Sequence, residues 1–163
     1  MTLIDSGLGR GIKGLLRPLV AALKRVDMMT PYCHGDTRRL HLGRGVSAVN
    51  TIFNVASGEI YIGDDTVFGH NCMVLTGRHE FSGGRRRSLS TGEPDTPTSG
   101  SDIHIGSGCW IASGVIVTGG VTVGDNTIIG AGAVVTLDIP SGVFAAGVPA
   151  QVIRQLQSSE DAV

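Results

Sequence analysis

The sequence predicts an all-β solenoid, a parallel β-helix, and three columns of residues predict it. From Ile105 a branched aliphatic residue recurs every six positions: Ile105, Ile111, Val117, Val123, Ile129 and Val135. Two positions before each stands an apolar or small residue: Ile103, Cys109, Val115, Val121, Thr127 and Ala133. Three positions after the first five stands Gly108, Gly114, Gly120, Asn126 or Gly132. Gly and Asn accept a positive φ at little cost, so a left-handed corner residue returns once per hexad. A helix repeats its apolar stripe at three and four residues, which excludes it here. Positions i−2 and i alternate as a short strand does, and the next three residues turn the chain. Strand and corner repeated without hairpins wind into stacked coils.

Composition fits that class. The 163 residues suffice for one domain with a tubular core, and 25 glycines beside 4% aromatics suit many corners and thin strands. A formal net charge of −1 offers no electrostatic case for a nucleic-acid partner. Of three cysteines, Cys72 and Cys109 fall in inward columns, so core thiols are expected rather than a disulfide framework. No apolar run approaches the roughly 20 residues of a membrane span, and no signal peptide is visible; the expected compartment is the cytoplasm.

In chain order, Leu8, Ile12, Leu15, Leu16, Leu19, Val20, Leu23 and Val26 are spaced as one face of a helix, with Arg10, Lys13, Arg17, Lys24 and Arg25 opposite and Pro18 expected to kink or split it. Two roles are open to residues 1–35: an N-terminal helical cap on the end of the solenoid, or a basic amphipathic segment resting weakly on anionic lipid. The solenoid is assigned to 36–140. Its first hexads keep the period poorly, for Gly45 stands in a corner position but Ile62 arrives two residues late. Regularity resumes at Ile62, Phe68 and Val74, with Asp65 and Asn71 in the corner column.

Val74 and Ile105 are then 31 residues apart, one hexad plus 25. The register resumes cleanly, so residues 78–102 form a polar, Gly-, Ser- and Pro-rich excursion; a loop of that length inside a domain is functional or disordered. His79 stands at its root, where a rigid coil holds the backbone. After Pro140, residues 141–157 read as a C-terminal cap segment containing a short helix near Val152 to Leu156, and 158–163 as a disordered tail.

Several runs resemble the hexapeptide-repeat acyltransferases, and most nearly the sugar O-acetyltransferases of the galactoside, maltose and colanic-acid type: Trp110-Ile111, Gly120-Val121-Thr122-Val123-Gly124, Ala131-Gly132-Ala133-Val134-Val135 and Gly147-Val148-Pro149-Ala150. Thr76-Gly77-Arg78-His79-Glu80 is similar to the family's active-site run. The resemblance implies a left-handed solenoid, a homotrimer, acetyl-CoA or another acyl-CoA as co-substrate without a metal, and chemistry where one subunit's excursion meets its neighbour. It implies His79 as general base and the Ser113 backbone N–H as oxyanion donor. For CoA it implies Trp110, Ser113, Ala131, Thr136 and Arg154, and for the acceptor Asn54. Leu137 stands where the family often carries Lys, and Gly119 where it often carries Pro.

Glu80 is a candidate to orient His79 or contact the acceptor, and Arg85, in the run Arg85-Arg86-Arg87, to attract an anionic acceptor or CoA phosphates. The expected reaction is acetyl transfer to a hydroxyl of a sugar, glycan or nucleotide-sugar. Two other classes stand beside it. One is a solenoid that serves only as a scaffold. The other is a zinc enzyme like the gamma-class carbonic anhydrases, which Gly69-His70-Asn71 resembles. There Leu75 occupies the place of a ligand His, and a zinc site lacking a ligand is disfavoured.

Overall fold

In the computed structural model, residues 14–23 and 29–156 are described. They fall in two units, the first ending at Thr30 and the second beginning at Pro31. In the first, residues 14–23 are helical straight through Pro18, so proline does not split the helix there. The rest of the expected helix, and the expected disordered tail, lie outside the described residues.

The second unit is a parallel β-solenoid of triangular section. One face stacks Tyr32–His34, Ile52–Asn54, Met73–Leu75, Ile116–Thr118 and Val134–Val135. The second face stacks Leu40–Leu42, Ile60–Ile62, Ile103–Ile105 and Thr122–Val123. The third stacks Ser47–Ala48, Val67–Phe68, Trp110–Ile111, Ile128–Ile129 and Val143–Ala146. All six members of the Ile105-to-Val135 column are at most 2% exposed, and the column two positions earlier is buried with them. Each such aliphatic side chain contributes about 1.5–3 kcal/mol by leaving water. Gly108, Gly114, Gly120, Asn126 and Gly132 all have positive φ, as do Asp65 and Asn71. Cys72 and Cys109 are buried free thiols.

Two boundaries differ from the expectation. The solenoid begins before residue 36, since Tyr32–His34 already pairs with Ile52–Asn54. The short C-terminal helix is absent: Gln151–Gln155 is a strand, antiparallel to Val143–Ala146. The last parallel strand leaves an edge of unpaired N–H and C=O groups, and a strand satisfies that edge where a helix cannot.

Insertions fall at only one corner, between the first and second faces; elsewhere the spacing is six residues, save five from Ala48 to Phe53. Nine residues lead from inward Cys33 to Leu42, and nine from Phe53 to Ile62. Thirty-one lead from Val74 to Ile105, but only six from Val117 to Val123. Every insertion therefore accumulates on one edge of the prism, in successive coils.

Candidate active site

That edge is where the excursion sits, and its root is tied down by buried polar groups. The Thr76 N–H and hydroxyl both donate to the Asn54 carbonyl, at 2.9 and 2.8 Å, and the Ser57 N–H donates to the Thr76 hydroxyl at 3.1 Å. Gly77 lies against the Asn54 amide so closely that a Cβ would come within 2.9 Å of Nδ2. The return leg is anchored as well. Ser101 donates from its N–H to the Ser57 carbonyl, Asp102 accepts from the Glu59 N–H at 2.8 Å, and Arg39 donates to the Thr98 carbonyl at 2.8 Å.

Between these anchors the excursion is folded. Phe81–Ser82 and Arg85–Arg86 pair as a hairpin. Its turn is Gly83-Gly84, both at positive φ, the backbone that a two-residue hairpin turn demands. Helix Arg87–Thr91 follows and stops at left-handed Gly92.

His79 is held by Asp95, sixteen residues away, with Nδ1 to Oδ1 at 3.0 Å. The Asp95 side chain is only 9% exposed and the imidazole 53%, so the pair has a covered anchor and an open working end. The Ser88 hydroxyl donates to the other Asp95 oxygen at 2.6 Å, and the Arg86 guanidinium lies 3.7 Å away. The Ser88 bond first, then the His79 bond, holds the Asp95 carboxyl well below the usual range, at about 2. An ionised carboxylate only accepts, so the proton of a neutral imidazole is fixed on Nδ1. Nε2 is without a partner among the described residues, and His79 lines an open depression with Arg78, Glu80, Phe81, Ser82, Arg87, Thr91 and Glu93.

Glu80 has another task. Its carboxylate takes the Arg87 guanidinium at 2.9 Å, while its N–H donates to the Asp95 carbonyl at 2.6 Å. Sequence reasoning missed Asp95; its only signal there was an acidic residue between Pro94 and Pro97. Arg85 is exposed on the hairpin. Asn54 shares the corner with His79, and its Oδ1 accepts from the Ala56 N–H at 2.9 Å.

The other candidates lie elsewhere on the prism. Ser113 and Ala131 stack in successive coils at the corner between the third and first faces, where the Gly132 N–H donates to the Ser113 carbonyl. The Ser113 hydroxyl accepts from the His70 N–H at 3.1 Å. Trp110 points outward from the third face between Val67 and Ile128 and is 54% exposed. Arg154 lies over the Phe144 ring on the same face, 5.7 Å from its centroid. Thr136 is exposed at the excursion's corner, beyond the coils that carry it. One chain therefore places His79 and Glu80 on one depression, with Asn54 at the excursion's root and Arg85 on its hairpin, and leaves Ser113 at a different corner. His70 and His104 are surface residues, as the register predicts.

Residues 102–136 match the family model described as bacterial transferase hexapeptide (six repeats). The chain is 32% identical over 133 residues to galactoside O-acetyltransferase of Lactococcus lactis, covering 79% of this chain and 59% of that one. It is 36% identical over 121 residues to galactoside O-acetyltransferase of Escherichia coli, covering 74% and 56%. It thus spans less than three fifths of the length of either curated relative. Among solved structures it resembles a maltose O-acetyltransferase from Clostridium difficile, with a TM-score of 0.63, 33% identity and coverage of 79% of this chain and 65% of that one. It also resembles a galactoside acetyltransferase in complex with coenzyme A, with a TM-score of 0.57, 31% identity and coverage of 78% and 60%.

Proposed function

Because the chain is a hexapeptide-repeat protein similar in sequence and fold to sugar O-acetyltransferases, we propose that it transfers acetyl from acetyl-CoA to a hydroxyl of a sugar, glycan or nucleotide-sugar, in the cytoplasm. The observation that carries the reading is the His79–Asp95 pair, which ties up Nδ1 and leaves Nε2 free on an imidazole that lines an open depression.

A sugar hydroxyl is a poor nucleophile at neutral pH. His79 Nε2 takes its proton as the oxygen attacks the thioester carbonyl; the new C–O bond forms, the C–S bond breaks, and His79 returns the proton to the leaving sulfur. Positioned general-base help of this kind is worth roughly 10²–10⁴-fold. Charge building on the thioester oxygen needs a donor, the role assigned to the Ser113 N–H. Ser113 lies at another corner of the same prism, so the set closes only between subunits, which supports a homotrimer in which one copy's excursion meets the next copy's coils. Trp110, Ala131, Thr136 and Arg154 are assigned to the CoA side, and Asn54, Glu80 and Arg85 to the acceptor side.

The test is a screen of sugar and nucleotide-sugar acceptors with acetyl-CoA, read as free thiol, on the intact chain and on His79→Ala. The expected result is turnover with at least one hydroxyl acceptor, nearly abolished in the variant with CoA binding retained. A variant within threefold of the parent would remove His79 from the chemistry.

A further inference from the structure

The excursion's charges balance, but not every one of them is paired. Its carboxylates are engaged: Glu80 and Glu93 take Arg87, and Asp95 takes His79 and Ser88 with Arg86 close by. Asp102 accepts from the Glu59 amide. Arg78 is different. Its backbone N–H reaches the Ser57 hydroxyl at 3.4 Å, which ties its position to the rigid coil. Its guanidinium has no carboxylate within ion-pair distance among the described residues, although it lines the depression into which His79 opens. The other charges on that wall pair with one another, Glu80 and Glu93 both taking Arg87, so with Arg78 the wall is neutral and the Arg78 guanidinium is the charged group left without an ion-pair partner there.

An unpaired guanidinium beside the base has one consequence. It presents up to five N–H donors in a planar fork, which suits the oxygens of a phosphate or carboxylate better than scattered sugar hydroxyls. We propose that Arg78 is a specificity-determining residue and that the acceptor is an anionic sugar, one carrying a phosphate or carboxylate beside the hydroxyl that His79 deprotonates. The proposal rests on the acetyltransferase reading and narrows its acceptor class. CoA also carries phosphates, so the test must tell acceptor from donor.

Acetyl transfer is measured with matched acceptors, galactose against galactose 1-phosphate and glucose against glucuronic acid, for the parent, Arg78→Gln and Arg78→Lys. The parent is expected to prefer the anionic member of a pair. Arg78→Gln should shrink that preference in kcat/KM by roughly 10- to 100-fold, the worth of one charge-assisted contact, through KM for the acceptor. Arg78→Lys, which keeps charge but not the fork, should recover part of it. A parent indifferent to acceptor charge would overturn the proposal. So would an Arg78→Gln effect confined to KM for acetyl-CoA, which would assign Arg78 to the donor. If no acceptor of any kind turns over, the acetyltransferase reading fails on its own. Titration of galactose 1-phosphate and glucuronic acid, followed by the His79 ring resonances, then decides: shifts lost in Arg78→Gln uphold the anion site, and silence in the parent sinks it.

Discussion

The coils from Ile103 to Val135 and the excursion at 76–102 are built on opposite rules. In the coils a side chain's place in the hexad decides where it goes, and the interior is Ile, Val, Ala and Cys with a single buried Thr127. In the excursion and at its root the buried residues are Thr76, Asp95 and Ser101, and order comes from specific pairs: Asp95 with His79 and Ser88, Arg87 with Glu80 and Glu93, Arg39 with Thr98. Hydrophobic burial is non-directional and repeats well, whereas hydrogen bonds and ion pairs fix one geometry. The first suits a scaffold, and the second suits a site.

The largest effects should separate the two cleanly. His79→Ala should lower turnover by roughly 10²–10⁴-fold while leaving the thermal transition of the solenoid where it was. Ile111→Ala should do the reverse. It opens a cavity in a fully buried rung and should cost about 2–5 kcal/mol of stability by chemical denaturation. If both variants lose activity and stability together, the two regions are one cooperative unit and the contrast falls.

Asp95→Asn comes next. An amide can donate to Nδ1 as well as accept, so the imidazole is free to take the wrong tautomer, and turnover should fall by about tenfold or more. Nitrogen-15 shifts of His79 should report the change from an Nδ1–H ring to a mixture. An unchanged tautomer would show that Asp95 does not set it.

Acid sharpens the contrast further. Asp95 has a folded value of about 2 against an ordinary 3.8. A depressed carboxyl contributes stability that is complete above the ordinary value and is lost as pH falls through the folded one. The excursion should therefore stay ordered at pH 4 and loosen between pH 4 and 2, with the aliphatic rungs protected longer. Hydrogen exchange of the Glu80 and Arg87 amides against those of Ile111 and Ile129 measures the difference, and simultaneous loss would contradict it. The smallest effect belongs to Arg87→Met, which cuts two half-exposed ion pairs and should shift stability by under about 1 kcal/mol.

The same contrast explains what was legible beforehand. Rungs from Ile105 to Val135 repeat one another, so six residues announce the next six. The first two coils hide their register because Asn50 turns the chain one residue early, with Phe53 only five after Ala48, and nine residues then lead to Ile62. Val152, Ile153 and Leu156 carry a helical spacing, but the open edge at Val143–Ala146 takes that segment as a strand. His79 was legible from its position at a break in the repeat. Asp95 was not, for a contact across sixteen residues of aperiodic loop leaves no trace in spacing.

The single corner that absorbs every insertion also bears on how the chain closes upon itself. Neighbouring rungs on the second face lie 20 residues apart from His41 to Tyr61 and 18 apart from His104 to Thr122. The rung that must span the excursion joins Tyr61 to His104 across 43. Loop-closure entropy grows only with the logarithm of length, about 0.6 kcal/mol per doubling, so that step is harder than its neighbours by little more than RT. A winding chain of this kind can carry a site of its own design on one edge and still zip past it at nearly the pace of a plain coil.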